Sequence, residues 1–401
     1  MSRRPATVLL YAEDVRGLGH VNRALTIAQH ILSAHSHAVV VIATTSRMPD
    51  VFSLPPRCDF IKLPIRLPPR ELLGEAHTEI KLRYQSLRRQ LLLDVALGLA
   101  PDLVLVDHSP LGFGDEFREG LYALKRRYPI SHFVYLMQDI VGDPDHICRQ
   151  WRNRGIYDAL ESLYDEVVIC GSPRIWDGVS RYQLSAEVQA KLAYCGYIVR
   201  DLPVKDQSVV RRQYGLTTTG RVVVATVGGG HVGYPVLEAS LEALEQLRAE
   251  MADLDAVLVG GPLMPAGQLA TLAARAAPRD LVLRQADNFE LMVAADAIVG
   301  MSGYNTAAEA MFVGRPPVLV PQPAEGRHMM EQLLRAEVMA DHGLARYIAP
   351  DALSGKEIAD GLRWALNCDR AAYARRVQQL GLTFDGAAWL SRHLSPTLTR
   401  A

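Results

Sequence analysis

Short runs of Val, Ile, Leu and Ala alternate along this chain with longer stretches whose apolar residues recur at helical spacing. The runs Thr7–Ala12, Ala38–Ala43, Leu103–Asp107, Phe133–Met137 and Glu166–Cys170 predict strands in the first half. Arg221–Thr226, Ala256–Val259, Leu281–Arg284, Ala297–Val299 and Pro317–Val320 repeat the theme in the second. Val21, Ala24, Leu25, Ala28, Ile31 and Leu32 share one face of a predicted helix behind the first strand. Strands apolar on both faces and separated by helices argue for parallel sheets covered on both sides, an α/β architecture. The polar stretch Arg200–Leu216 interrupts the pattern. It sets the expected division into residues 1–200 and 201–385, with a C-terminal helix over 386–401 that packs back on the first domain.

A chain of 401 residues is long for one core and suits two domains. A formal net charge of -1 removes the case for nucleic-acid binding through bulk electrostatics. Five scattered cysteines without a CxxC pair suggest neither a disulfide framework nor a zinc site, and read as thiols in a reducing cytoplasm. The apolar run behind Arg3 and Arg4 lasts only from Ala6 to Ala12, too short for a leader core or a membrane span. A cytoplasmic protein is therefore expected.

The two halves begin alike. Gly17-Leu18-Gly19-His20-Val21 follows the first strand of one half, and Gly228-Gly229-Gly230-His231-Val232-Gly233 follows the first strand of the other. Glycines in such turns allow positive φ and let backbone N–H groups approach a phosphate at a helix N-terminus. A tight turn holding no ligand is the competing reading. A dinucleotide site would want an acidic residue ending the next strand, but Ala256–Val259 runs into Gly260-Gly261-Pro262. Twin units of this kind predict two similar α/β/α domains facing a central cleft.

Residues 299–332 carry the most chemistry. A strand leads through Ser302 and Gly303 into a helix bearing Asn305, Thr306 and Glu309; Gly314 ends it, and a second strand reaches Pro321, with Arg327, His328, Met329, Glu331 and Gln332 beyond. Thr306-x-x-Glu309 has the spacing of a capping box. Glu309 could equally accept hydrogen bonds from two ribose hydroxyls. His20 opens a helix, where the macrodipole disfavours imidazolium and would keep a base available near pH 7, although a structural histidine is the plainer reading. Asp107 and Asp139 end or follow strands, where ligands collect in open α/β sheets; either could orient His20, bind an acceptor hydroxyl or serve as a cap. Asp143-Pro144-Asp145 reads as structural, and Gly112-Phe113-Gly114 as a mobile connection. The clusters Arg88-Arg89, Lys125-Arg126-Arg127 and Arg149 with Arg152 and Arg154 read as solvated faces, with an anionic lipid or acceptor as the other option.

With these motifs in view the chain resembles the GT-B glycosyltransferases, and within them bacterial enzymes related to MurG, the peptidoglycan N-acetylglucosaminyltransferase. The resemblance is strongest in Gly17–Ala28 and Ser302–Ala336, through Gly303-Tyr304-Asn305-Thr306-x-x-Glu309 and Glu331-Gln332-x-x-Arg335-Ala336. It implies an acceptor-binding N-terminal domain and a nucleotide-sugar-binding C-terminal one. It implies Glu309 on the ribose, Gly228, Gly229 and Gly230 with His231 near the diphosphate, and the base against Asp287, Asn288 and Phe289. Ser302, Gly303, Asn305 and Thr306 join that donor side, and Glu331 and Gln332 lie near the donor sugar. It points to His20, with Asp107 and Asp139, as the catalytic centre, and to Gly17, Gly19 and Asn22 as the acceptor-side loop. The expected reaction is metal-independent, inverting transfer of a hexosyl or N-acetylhexosaminyl group from a UDP- or dTDP-sugar to a hydroxyl or amine of a small-molecule acceptor. A natural product is a plausible acceptor. The first loop departs from MurG, with Gly-Leu-Gly-His in place of a more glycine-rich version, and no hydrophobic membrane-docking patch stands out. A soluble acceptor is therefore expected rather than a lipid. A sugar-nucleotide epimerase of the same fold and a non-catalytic partner protein are the alternatives.

Overall fold

A computed structural model describes residues 4–14, 17–46, 51, 53–64, 76–201, 205–322 and 330–400. The segment Arg327–Met329 singled out above lies outside them. The chain divides into two compact units, one made of residues 1–173, 177–198 and 385–401, the other of 174–176 and 199–384.

The first unit holds a seven-stranded, wholly parallel sheet in the order β3-β2-β1-β4-β5-β6-β7. Its strands are β1 Ala6–Ala12, β2 Ala38–Thr44, β3 Cys58–Lys62, β4 Leu103–Asp107, β5 His132–Gln138, β6 Glu166–Cys170 and β7 Leu192–Tyr194. Every residue of β4 is buried, and β1, β5 and β6 are buried at all but one position each. This explains their continuous apolar runs. β3 and β7 are edge strands that stay partly exposed. Their mixed sequences, Cys-Asp-Phe-Ile-Lys and Leu-Ala-Tyr, carry no run that marks a strand. The helix Gly386–His393 belongs to this unit; Ser391 donates to the carbonyl of His30 at 3.1 Å, and the His393 ring nitrogen meets Glu166 at 2.6 Å.

The second unit repeats the plan with six parallel strands in the order β10-β9-β8-β11-β12-β13. They are β8 Arg221–Thr226, β9 Leu254–Val259, β10 Leu281–Leu283, β11 Ala297–Gly300, β12 Pro317–Leu319 and β13 Arg346–Tyr347. One apolar layer, with Val223, Ala225, Val299 and Val318, packs beneath the helices Tyr234–Arg248 and Gly355–Leu366; the other face, with Val222, Val224 and Ile298, packs against Leu291 and Met292.

In both sheets the first strand has its crossover neighbours on opposite sides, so the strand order reverses beside it. The crevices at these reversals open at the carboxyl ends of β1 and β4, and of β8 and β11. Open α/β sheets bind ligands at such points. Asp107 ends β4 and Gly228 follows closely on β8, at these two points.

Candidate active site

In the first unit the chain leaves β1 at Ala12 and enters the helix Gly19–Ala34. Leu18 precedes that helix and supplies no side-chain cap. Instead Asp14, which is buried, accepts the backbone N–H of Val21 at 3.0 Å, and its own N–H is held by Thr45 Oγ1 at 2.7 Å. One orphan first-turn donor is thereby satisfied from a distance. Gly19 has no positive φ. At Gly17 a Cβ would lie 3.2 Å from Asp14 Oδ1, which makes close approach the reason for a glycine there.

Ala12 of β1 pairs with Asp107, the last residue of β4. The register delivers Asp107 to the first turn of the helix, where its Oδ2 lies 2.8 Å from His20 Nδ1. Arg23, one turn further on, places Nη2 at 2.7 Å from Asp107 Oδ1 and 2.8 Å from Oδ2. Arg23 and Asp107 are both buried, whereas the His20 side chain keeps 21% of its exposure. His20 Nε2 makes no hydrogen bond among the described residues. The His108 ring lies 4.8 Å from that of His20.

Burial would raise the Asp107 carboxyl, but the charge of Arg23, followed by that of His20, brings it to about 2. An ionised Asp107 favours the tautomer with the proton on Nδ1, which leaves the Nε2 lone pair facing outward. Burial alone would lower the His20 pKa; the charge and hydrogen bond of Asp107 outweigh it, with Asp14 adding, so the net shift is upward. The helix N-terminus and the Asp107 carboxylate in contact thus act on this imidazole in opposite directions.

Asp139 follows β5, is buried and accepts the N–H of Ile140 at 2.8 Å. The hydrogen-bond partners of His20 are Asp107 and Arg23, so Asp107 is the residue that orients it. Asn22, half-buried in the same first turn, accepts Thr26 Oγ1 at its carbonyl. The Gly112–Gly114 segment is no loose connection: the Phe113 N–H donates to Tyr11 Oη, Tyr11 to Glu116, and Arg88 to Glu116, all within 2.9 Å. Arg88 is therefore a buried ion-pair partner rather than part of a solvated face. Asp143 caps the helix Pro144–Asn153 through the His146 N–H, which is the structural role expected of it.

In the second unit Gly228–Gly233 joins β8 to the helix Tyr234–Arg248. Gly228 (φ +59) and Gly230 (φ +87) occupy the left-handed region. At Gly230 a Cβ would meet the Gly260 carbonyl at 1.9 Å. The glycines therefore also let this loop press against Gly260-Gly261, the loop after β9. Gly229 accepts the Leu263 N–H, and His231 is exposed.

The helix Tyr304–Phe312 has Gly303 at its N-cap, with no side-chain cap. Thr306 is thus the third residue of the helix and not its cap, and the capping-box reading of Thr306 and Glu309 fails because the helix starts too early for it. Glu309 is buried, and its described side-chain contact is an ion pair with Arg200 Nε at 4.0 Å. It makes no side-chain hydrogen bond among the described residues. Burial raises its pKa to about 7, with Arg200 pulling down and Asp287 pushing up.

Asp287 caps the helix Asn288–Ala294 through the Glu290 N–H and holds the guanidinium of Arg200 with both oxygens. Burial opposes ionisation of Asp287, but the Arg200 bond and the cap keep its pKa below the usual range. The Phe289 side chain is fully buried, with the Phe312 ring at 5.7 Å and Arg200 5.3 Å over its face. Asn288 Oδ1 and Thr226 Oγ1, at the end of β8, are buried without a hydrogen-bond partner.

Ser302 and Gln332 form a brace. Ser302 Oγ donates to the Gln332 carbonyl at 2.7 Å, Gln332 Oε1 accepts the Gln322 N–H at 3.1 Å, and buried Arg335 donates to the Ser302 carbonyl at 3.0 Å. Glu331 and Asn305 are half-buried in the first turns of their helices. Among the described residues no group of three or more His, Cys, Asp and Glu could hold a metal ion, and no helix is long and apolar enough to cross a membrane.

The pattern of apolar runs did not reveal Arg23, Asp14 or Arg200. The signal for Arg23 is its place three residues after His20, on the same side of one helical turn. Arg200 stands in a polar segment that read as a boundary, and nothing local marks it.

Residues 285–386 match the model of the glycosyltransferase family 28 C-terminal domain. An uncharacterized glycosyltransferase of Methanopyrus kandleri is 27% identical over 186 residues, 45% of this chain and 49% of the relative. The UDP-N-acetylglucosamine--N-acetylmuramyl-(pentapeptide) pyrophosphoryl-undecaprenol N-acetylglucosamine transferase of Leuconostoc mesenteroides is 30% identical over 133 residues, 33% of this chain and 35% of the relative. The chain thus spans half or less of the length of these curated relatives. Among solved structures, the glycotransferase of kitacinnamycin superposes with a TM-score of 0.64 at 16% identity over 99% of this chain and 100% of that one. Acinetobacter baumannii MurG does so with a TM-score of 0.59 at 17% identity over 99% and 100%. The fold is GT-B, and the family 28 match falls in the C-terminal part of the second unit.

Proposed function

We propose that this chain transfers a sugar from a nucleoside-diphosphate sugar, a UDP- or dTDP-sugar, to a hydroxyl or amine of an acceptor. The observation that carries the reading is Glu309. A buried carboxylate without a hydrogen bond is costly unless a ligand completes it. The two hydroxyls of a ribose do so by donating to its two oxygens. Glu309 lies within the segment that matches the family 28 C-terminal domain, and the Leuconostoc relative is named for a UDP-N-acetylglucosamine donor, which favours UDP. Asn288 Oδ1 and Thr226 Oγ1 add two buried polar atoms in want of a partner near the same crevice.

In this scheme His20 Nε2 takes the proton of the acceptor hydroxyl as its oxygen attacks the anomeric carbon. The bond from that carbon to the diphosphate breaks, its electron pair leaves with the nucleoside diphosphate, and the configuration inverts. Backbone N–H groups at the start of the Tyr234–Arg248 helix stabilise the departing charge, so the scheme calls on no metal. The neighbour named for kitacinnamycin supports a small-molecule acceptor, a natural product among them.

The test is incubation with UDP- and dTDP-sugars, with and without a panel of hydroxyl and amine acceptors. Acceptor-dependent release of nucleoside diphosphate, with a new glycoside, is expected. An altered sugar formed from donor alone would instead favour an epimerase. Failure of UDP, dTDP and GDP to raise thermal stability would contradict the donor site, because a ligand of the native state must stabilise it.

A further inference from the structure

We infer that Arg23 is a positioning residue that restrains the basicity of His20, so that the imidazole can be unprotonated within the working pH range although it sits against the Asp107 carboxylate. The inference rests on the reading of His20 as the base. The geometry is a three-way contact: Arg23 Nη2 lies 2.7 and 2.8 Å from the two oxygens of Asp107 and 2.9 Å from His20 Nδ1. Guanidinium is always charged and only donates. When Nδ1 carries a proton it donates to Asp107, and the nearby guanidinium then faces a second donor. When His20 becomes imidazolium that contact turns into a cation against a cation.

The charges facing His20 come from four directions. Asp107 ends β4, Asp14 follows β1, Arg23 belongs to the same helix, and the His108 ring packs alongside from the loop after β4. Both carboxylates favour imidazolium, while Arg23 opposes it. Without Arg23, two carboxylates would face the imidazole with no fixed cation among these groups to oppose its protonation. The pairing also explains a buried arginine on a helix face otherwise occupied by Val21, Ala24, Leu25 and Ala28. A buried charge needs a partner, and Asp107 is that partner.

The experiment follows the His20 imidazole by NMR titration in wild type, Arg23→Gln and Arg23→Lys, beside the pH profile of kcat/KM with a UDP-sugar. The midpoint of His20 should rise by about one pH unit in Arg23→Gln and stay near wild type in Arg23→Lys. Turnover of Arg23→Gln should fall by roughly tenfold on the acid limb and recover at high pH. An unchanged midpoint in folded Arg23→Gln, or an equal rise in Arg23→Lys, overturns the inference. If Arg23→Gln does not fold, Asp107→Asn is compared with the double variant Asp107→Asn/Arg23→Gln: the His20 midpoint should be higher in the double variant, where no guanidinium opposes imidazolium, and equal midpoints overturn the inference. A midpoint that rises while the rate profile stays put supports the role of Arg23 and removes His20 as the base.

Discussion

Glu309 and Arg200 approach to 4.0 Å without a hydrogen bond between them, while the guanidinium of Arg200 is held by Asp287. The carboxylate is therefore tempered by a positive charge and left with its acceptor sites unused, a state suited to a diol-bearing ligand.

The first consequence is in stability. The folded-state pKa of Glu309 is raised from 4.5 to about 7, so between these values the native state binds more protons than the unfolded state. Stability is then lost as pH rises through about 7, by on the order of 3 kcal/mol. Glu309→Gln should remove that loss. The variant should melt above wild type at pH 8 and match it below pH 4.5, as read by thermal denaturation across pH.

The second is in ligand binding. Ribose hydroxyls prefer the ionised carboxylate, so UDP binding should release a proton near neutrality. Affinity should rise by up to roughly tenfold per unit as pH climbs from 5.5 to 7 and level off above. Calorimetry in buffers of different ionisation enthalpy reads the proton directly. Arg200→Met should move the plateau to higher pH, since it removes the charge that pulls Glu309 down.

His20→Ala should cut turnover by about 100- to 10,000-fold while leaving UDP affinity unchanged, since the loss of a base acts on the chemical step. The wild-type acid limb should lie above the ordinary histidine value, following the upward shift imposed by Asp107. A limb below it would contradict the assignment of His20 as the titrating base.

The glycine loop separates two causes of glycine use. Gly228→Ala meets open space at φ +59 and should cost about 1 kcal/mol. Gly230→Ala drives its Cβ to within 1.9 Å of the Gly260 carbonyl and should cost roughly 2–4 kcal/mol. Urea unfolding of the two variants gives the comparison.

The central strands were legible in the sequence because burial on both faces makes them continuous apolar runs, as in Leu103–Asp107. The edges β3, β7 and β13 were not, since half-exposed strands need no such run. The strand-to-helix turns located both crevices, but not the partners within them. The distances from Asp107 to His20 and from Arg200 to Glu309 span 87 and 109 residues of chain, and only the parallel register closes the first. Thr306 and Glu309 misled locally: the spacing of a capping box is present, yet Gly303 had already begun the helix. The side chain of Phe289, in the loop that the resemblance sets against the base, belongs to the core, which the sequence did not mark.

The most direct measurement is calorimetric titration of UDP into wild type and Glu309→Gln at pH 8, where the carboxylate is ionised. Saturable binding to wild type, weakened at least tenfold in a fully folded Glu309→Gln, is the predicted result. Equal affinity in the two proteins, or no binding of UDP, dTDP or GDP by wild type, would contradict a nucleotide-sugar site at Glu309.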